Sequence, residues 1–481
     1  MKSVCLENKD FLMSFLELSH ALGGSLFAGE GKQVAEHRHK GFSSVSIDSR
    51  AVSPGGLFVA LRGNVLDGHN YVDAAFKAGA AGALVASSAL HDAALGLPGI
   101  AKKWNCILVC VEDTLKALQE AARVYLEQFT NLVKIGITGS AGKTTTKEIA
   151  AAIIGQEKSV VMNKGNLNSE TGLPLSVFEV RPHHEVCVFE AGMNRKGEIS
   201  ELARVLNPDI ALITNIGSAH IGILGSKQAI AEEKKEIFSR FTGNNTALIP
   251  VDDNFRDFLA KDVCGRTVFY GASSLSCLGR VSDLGLEGTE IVWEGKTARF
   301  SLPGKFNLSN AIAAAAIAME LSLSASSVRC GLESVKPLFG RGEILYGRST
   351  LIRDCYNSSP ESVTEALNFC DNLEWPGRRI YVIGSMLELG ESSSEAHVSL
   401  GKRLVSCRAD MVFLFGEEIR PAADVPGARH VLHTTDMGEL SAALDDCIKS
   451  GDLVLLKGSR GCALEALTAI LTEKKGGTDG S

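Results

Sequence analysis

At 481 residues, with 45% hydrophobic and 22% charged side chains, the chain has the composition of a folded globular protein with room for about three domains. Its net charge of −7 argues against broad binding to nucleic acid, and its longest apolar run, 311–319, is far too short to span a bilayer. No membrane insertion is expected. The twelve cysteines are scattered with no C-x-x-C, Cys106 and Cys110 being the closest pair, and the opening stretch carries Glu7, Asp10 and Glu17. No signal peptide and no zinc site are expected, and the cysteines read as reduced core residues of a cytoplasmic protein.

Residues 1–112 open with an amphipathic helix carrying Phe11, Phe15, Leu16 and Leu18. Strands are predicted over 45–47, 56–61, 83–85 and 107–109, with a helix over 73–80. Two polar clusters flank these strands, Asp48-Ser49-Arg50 and the run from Arg62-Gly63-Asn64 to Asp67-Gly68-His69. Binding loops sit at such places, although turn chemistry alone also produces D-S-R and D-G-H.

A helix over 113–128 leads into a second unit, 113–335, and to the stretch K-I-G-I-T-G-S-A-G-K-T-T-T-K at 134–147. Ile135 and Ile137 end a buried strand. Gly139, Ser140, Ala141 and Gly142 make a glycine turn, and Lys143, Thr144 and Thr145 open a helix continued by Ile149, Ala150, Ile153 and Ile154. Only two residues separate the glycines, so the general G-x-x-x-x-G-K-[ST] pattern is not met literally. The arrangement nevertheless suits a nucleotide triphosphate. Backbone N–H groups and the helix N-terminus face the phosphates, Lys143 reaches the β- and γ-phosphates, and the Thr144 hydroxyl is placed to ligate Mg²⁺.

Strands over 185–189, 210–214 and 246–250 alternate with helices over 197–206 and 227–238, the pattern of a parallel α/β sheet. Period-two β structure follows over 280–302, then an alanine-rich helix from Asn307. From 336 to 481 a third unit has strands at 351–352, 380–383, 411–415 and 453–456, each followed by a helix (361–370, 395–406, 438–448, 462–472). It is Rossmann-like but lacks G-x-G-x-x-G, so no dinucleotide is indicated. The GGTDGS tail is expected to be disordered.

The candidate chemistry gathers at strand ends. The strand over 185–189 delivers Glu190, and the strand over 210–214 delivers Asn215 with Ser218-Ala219-His220 beyond it. Glu190 and His220 are placed to join Thr144 around a metal ion that also bridges the phosphates, the alternatives being a plain strand-end acid and a loop histidine. The run 163–169, with Asn166 and Asn168, is donor-rich. Asn307 and Asn310 share a helix face, to bind a base or sugar or to act as N-caps. In the helix over 227–238, Lys234 falls on the stripe of Ile230 and Phe238. A lysine there snorkels, pairs with an acid, or loses its charge. In the third unit, Asp354, Tyr356 and Asn357 end one strand, and Lys457, Ser459 and Arg460 end another beside a glycine turn suited to an anionic substrate.

Together, T-G-S-A-G-K-T-T (138–145), N-x-x-N-x-N (163–168), E-A-G-M-N (190–194), T-N-I-G-x-A-H (214–220), A-E-E-K-K-E-I-F (231–238), Asn307 with Asn310, Y-N-x-x-P (356–360), M-L-E-L-G (386–390) and K-G-S-R-G (457–461) resemble the Mur ligases. The resemblance runs in order along nearly the whole chain. It implies a small N-terminal α/β domain for a UDP-sugar (1–112), a central P-loop parallel-sheet domain for ATP (113–335), and a C-terminal Rossmann-like domain for the incoming amine (336–481).

The implied reaction is ATP-driven peptide-bond formation between UDP-N-acetylmuramoyl-tripeptide and D-alanyl-D-alanine through an acyl phosphate, with Mg²⁺, in a cytoplasmic monomer. The resemblance implies catalytic roles for Lys143, Glu190, His220 and Lys234, the last as a carbamate that ligates metal with Thr144, Glu190 and His220. It implies ATP contacts at 139–145, Asn307, Asn310, Arg341 and Asp354. Ser49, Arg50, Asp67, His69, Asn166 and Asn168 would hold the UDP substrate, and Tyr356, Asn357, Lys457, Ser459 and Arg460 the amine. Departures from the family pattern stand at Ser169, Arg353, Ser359 and Ser385. Two other readings stay open, a Mur ligase adding the third amino acid and a P-loop ATP switch without ligase chemistry.

Overall fold

A computed structural model describes residues 11–28, 38–427 and 432–473. Glu7, Asp10 and the GGTDGS tail lie outside the described residues. The chain is α/β, with three domains built on separate sheets. The N-terminal sheet has the order Ser25–Phe27, Ile107–Val111, Gly82–Ala86, Leu57–Val59, Val45–Ser46, with only the first pair antiparallel. The first helix runs Phe15–Leu22 rather than starting at Phe11, because Ser14 accepts from the Glu17 N–H and the Glu17 side chain answers back. That reciprocal cap fixes the start of the helix.

The central sheet is entirely parallel, in the order Arg266–Tyr270, Thr246–Pro250, Ile210–Ile213, Val133–Thr138, Val186–Glu190, Val160–Met162. Both edge strands, Arg266–Tyr270 and Val160–Met162, escaped the sequence reading. Val133–Thr138 is the middle of the switch: the chain turns to one side for Val186–Glu190 and to the other for Ile210–Ile213. Ligands of open α/β sheets collect at the carboxyl end of such a point. Behind the sheet, Ile149 and Ile153 of the helix Lys143–Ile154 pack with the alanines of the helix Lys305–Glu320, which makes one continuous apolar layer. The period-two segment forms an antiparallel sheet of Leu278–Asp283, Thr289–Trp293 and Lys296–Phe300.

In the third domain the order is Glu343–Tyr346, Thr350–Asp354, Leu453–Lys457, Arg379–Gly384, Met411–Phe415, Leu432–Thr434. The first pair is antiparallel and the rest parallel. The segment 462–472 is less helical than the sequence suggested, made of short turns and then a helix Thr468–Thr472. The helix expected over 227–238 is α-helical over Lys227–Lys235 and tightens over Glu236–Phe238. Among the described residues no helix is long and apolar enough to cross a membrane.

Candidate active site at the phosphate loop

The strand Val133–Thr138 ends against a loop that only glycine allows. Gly139 has φ +150° and a Cβ there would lie 1.8 Å from Thr214 Oγ1. Gly142 has φ +81° and a Cβ would lie 2.2 Å from Asn310 Oδ1. The neighbouring strand end locks the turn from the side. Ala141 N–H donates to Asn215 Oδ1 at 3.0 Å, Ser140 N–H to the Asn215 carbonyl at 3.0 Å, and Thr214 Oγ1 to the Ala141 carbonyl at 2.6 Å. Lys143 is then the first residue of its helix, with Thr144 and Thr145 buried behind it.

Glu190 is 2% exposed and spends both oxygens locally. Thr144 Oγ1 donates to Oε2 at 2.7 Å and Asn168 Nδ2 to Oε1 at 2.6 Å. Asn163 holds the same strand end from both sides, receiving the Glu190 N–H at 2.9 Å and donating to its carbonyl at 3.0 Å. Asn168, expected on the UDP substrate, is therefore bound to the acid, while Asn166 stays exposed. Lys147, which the sequence reading passed over, is wholly buried and donates to the Asn163 carbonyl at 2.6 Å. Its spacing from Ala150 and Ile154, three and seven residues on, was the available signal.

Two lysines converge on one carbonyl. Lys143 Nζ and Lys234 Nζ each donate to the Gly139 oxygen at 2.9 Å. Lys234 is 1% exposed, so the snorkelling alternative does not hold. Burial, and then repulsion from Lys143, push the Lys234 ammonium well below its usual 10.5. Lys143 is lowered by desolvation and by Arg341, against an opposing pull from Glu190. Among the described residues no three His, Cys, Asp or Glu side chains stand close enough to hold a metal by themselves. His220 Nδ1 lies 3.1 Å from Glu388 Oε2 of the third domain, and that is the partner the structure gives it.

Asn307 and Asn310 are buried and do not cap their helix, whose cap is Gly304. Asn307 Nδ2 donates to the Pro303 carbonyl at 2.8 Å, and Asn310 Oδ1 accepts from Thr146 at 3.3 Å. On the third domain, Lys457 pairs with Asp354 at 3.0 Å and donates to the Asn357 carbonyl at 2.8 Å. Ser459 Oγ accepts from Leu387 N–H at 2.9 Å, and Arg460 pairs with Glu465 at 3.1 Å. Arg341 stacks 4.0 Å from the Tyr356 ring centre.

The domains touch through groups that sequence reasoning missed. Glu361 Oε1 accepts from Ser218 N–H at 3.0 Å, Ser218 Oγ at 2.7 Å and Lys227 Nζ at 2.9 Å. Gly222 meets Gly390 so closely that a Cβ on Gly222 would lie 2.4 Å from the Gly390 nitrogen.

In the N-terminal domain Arg50 forks onto Asp48, Nε at 3.0 Å and Nη2 at 2.8 Å, which lowers the Asp48 carboxyl to about 2. Ser49 stands between them. Asp67 holds His69 Nδ1 at 2.5 Å while His69 Nε2 accepts from the Ala86 N–H at 2.9 Å. Both ring nitrogens of the buried His69 are thus used inside the protein, where they tie the loop to the sheet.

Comparison with known proteins agrees along nearly the whole chain. Family profiles described as Mur ligase family, catalytic domain (41–153), Mur ligase middle domain (137–318), and Mur ligase, glutamate ligase domain (340–460) all match. The UDP-N-acetylmuramoyl-tripeptide–D-alanyl-D-alanine ligase of Treponema pallidum is 42% identical, over 96% of this chain and 100% of the relative. A crystal structure of MurF from Acinetobacter baumannii superposes with a TM-score of 0.84 at 27% identity, covering 95% of this chain and 98% of that one. MurF ligase from Thermotoga maritima in complex with ADP gives 0.76 at 29% identity, covering 89% and 96%.

Proposed function

Because the chain belongs to the Mur ligase family, we infer that it is an ATP-dependent ligase that adds D-alanyl-D-alanine to UDP-N-acetylmuramoyl-tripeptide in peptidoglycan precursor synthesis. The observation that carries the chemistry is the convergence of Lys143 and Lys234 on the Gly139 carbonyl, beside the Thr144–Glu190 pair. With neither lysine in an ion pair among the described residues, Lys143 is left to answer an anion that arrives with the substrate, while the more deeply desolvated Lys234 leans to its neutral amine.

ATP would lie along 139–145, its phosphates against the loop N–H groups and Lys143. Asn307 and Asn310 would line its base or sugar side, and Arg341 and Asp354 would approach from the third domain. The tripeptide carboxylate attacks the γ-phosphorus, and the bond to the bridging oxygen breaks to release ADP and an acyl phosphate. The D-alanyl-D-alanine amine then attacks the acyl carbon, loses its proton and expels phosphate. Lys143 stabilises charge on the transferring phosphoryl group throughout.

The oxygen donors Thr144 and Glu190, 2.7 Å apart at the loop mouth, would hold a Mg²⁺ there. Such an ion, when bound, neutralises phosphate charge. Lys234 fits carbamylation, since burial favours its neutral amine, which takes up CO₂. The carbamate would add an anionic ligand towards a metal beside His220. Incubation with ¹³C-bicarbonate should give a carbamate carbon resonance that is lost in Lys234→Ala, and a fully active Lys234→Ala enzyme would end that assignment.

Ser49, Arg50, Asp67 and the exposed Asn166 would take the UDP end of the acceptor, with His69 shaping that loop from behind. Tyr356, Asn357, Lys457, Ser459 and Arg460 would form the amine side. We further propose that the protein acts in the cytoplasm as a monomer, with domain limits near 112 and 335. The test of the whole reading is phosphate release from ATP. It should require both the UDP-tripeptide and D-alanyl-D-alanine, whereas a switch would need neither, and a ligase for the third residue would use a UDP-dipeptide instead.

A further inference from the structure

The turn that joins the second and third domains is built on an alternation of guanidinium and aromatic planes. Arg353 lies 4.1 Å from the Phe339 ring centre, Arg460 lies 5.8 Å from Phe339 and 5.7 Å from Tyr356, and Arg341 lies 4.0 Å from Tyr356. Guanidiniums stack readily on ring faces, so the five side chains form one ladder. Its rungs are not equivalent. Arg353 pairs with Glu343 at 2.6 Å and Arg460 with Glu465 at 3.1 Å. Arg341 has no ion pair among the described residues, which leaves its charge for a ligand.

Arg353 is the buried foot of the ladder. It is 9% exposed, donates to Glu343 Oε2 through Nε at 3.1 Å and Nη2 at 2.6 Å, and reaches Thr468 Oγ1 through Nη1 at 3.2 Å. The same Glu343 oxygen accepts the Gly340 N–H at 3.4 Å, and the Gly340 carbonyl accepts the Tyr356 N–H at 3.0 Å. Gly340 and Gly342 both have left-handed φ, +66° and +73°, so the turn around Arg341 is sharp. It also docks on the second domain: a Cβ on Gly342 would lie 3.5 Å from the Phe306 ring and 3.8 Å from Asn307 Nδ2. Phe339, although 49% exposed, is thereby held as a plane rather than left loose.

We propose that Arg353 is a positioning residue for the nucleotide: stacked on Phe339 and paired with Glu343, it fixes the turn at 340–342 that presents Arg341 to the phosphates. This rests on the reading above that Arg341 faces ATP.

Calorimetry with a non-hydrolysable ATP analogue, alongside steady-state kinetics, tests it. Phe339→Leu keeps apolar bulk and loses the π-face; Arg353→Lys keeps the charge opposite Glu343 and loses the plane. Each should weaken the analogue about fivefold, the scale of a stacked cation on a ring. ATP KM should rise in step, with kcat within about twofold of wild type and the melting temperature nearly unchanged. Phe339→Leu combined with Arg341→Ala should cost no more than Arg341→Ala alone, because both act through one guanidinium. If Arg341→Ala weakens the analogue while Phe339→Leu and Arg353→Lys bind it like wild type, or if the double variant is additive, the positioning role is wrong. If Arg341→Ala itself binds normally, the nucleotide reading of Arg341 fails and this proposal falls with it.

Discussion

Two six-stranded sheets each hold lysine beside the carboxyl edge of a strand, and they treat its charge in opposite ways. In the second domain Lys143 and Lys234 share the Gly139 carbonyl, and neither is ion-paired among the described residues. The nearby acid, Glu190, is engaged by Thr144 and Asn168. In the third domain Lys457, 2% exposed, is matched by Asp354 at 3.0 Å. A buried cation without a counter-ion is costly, and it persists where a ligand supplies the missing charge. Lys143 is arranged for an anion that comes and goes, Lys457 for one that stays.

The comparison can be broken at several points. Lys143→Ala should lower kcat by about 10²- to 10³-fold, the cost of losing one charge-stabilising donor, with little change in stability. Asp354→Asn should act the other way round. It strands the buried Lys457, so denaturant unfolding should lose about 3 kcal/mol, as when one partner of a buried pair is removed. A small loss there would mean that Lys457 does not depend on Asp354 for its charge. Lys234→Met should raise the melting temperature while it abolishes turnover, because it removes a buried polar amine that function keeps.

The smallest effect is expected at Glu361. Burial raises its carboxyl pKa, but hydrogen bonds from Lys227 and Ser218 outweigh this and leave it below 4.5. Its tie between the domains is therefore fully present above that value and lost as pH falls through the lower folded one. Glu361→Gln should flatten the acid limb of the stability profile and lower neutral stability by the same small amount, since the side chain is 42% exposed.

What the sequence made legible follows from distance along the chain. The phosphate loop is local: strand, glycines, lysine and helix are contiguous, and their order alone dictated the turn that Thr214 and Asn310 later close. Central strands such as Val186–Glu190 read clearly because they are apolar on both faces. The edge strands did not: Val160–Met162 is apolar but only three residues long and half-exposed, and Arg266–Tyr270 and Glu343–Tyr346 are half-exposed and mixed in character. Helical spacing put Lys234 in the core correctly. It could not say that Asn168 would bind Glu190, that His220 would face Glu388, or that Glu361 would reach Ser218, since these partners lie 22 to 168 positions apart and meet only through tertiary folding. His69 shows the opposite limit: D-G-H was noticed, but which way the ring turned depended on the backbone of Ala86.

The most direct test of the central contrast is nucleotide affinity read phosphate by phosphate. Calorimetry with AMP, ADP and a non-hydrolysable ATP analogue would be run on wild type and Lys143→Ala. A lysine awaiting the β- and γ-phosphates predicts a loss of about tenfold or more for the analogue and an unchanged affinity for AMP. An analogue bound equally well by both proteins would contradict the account.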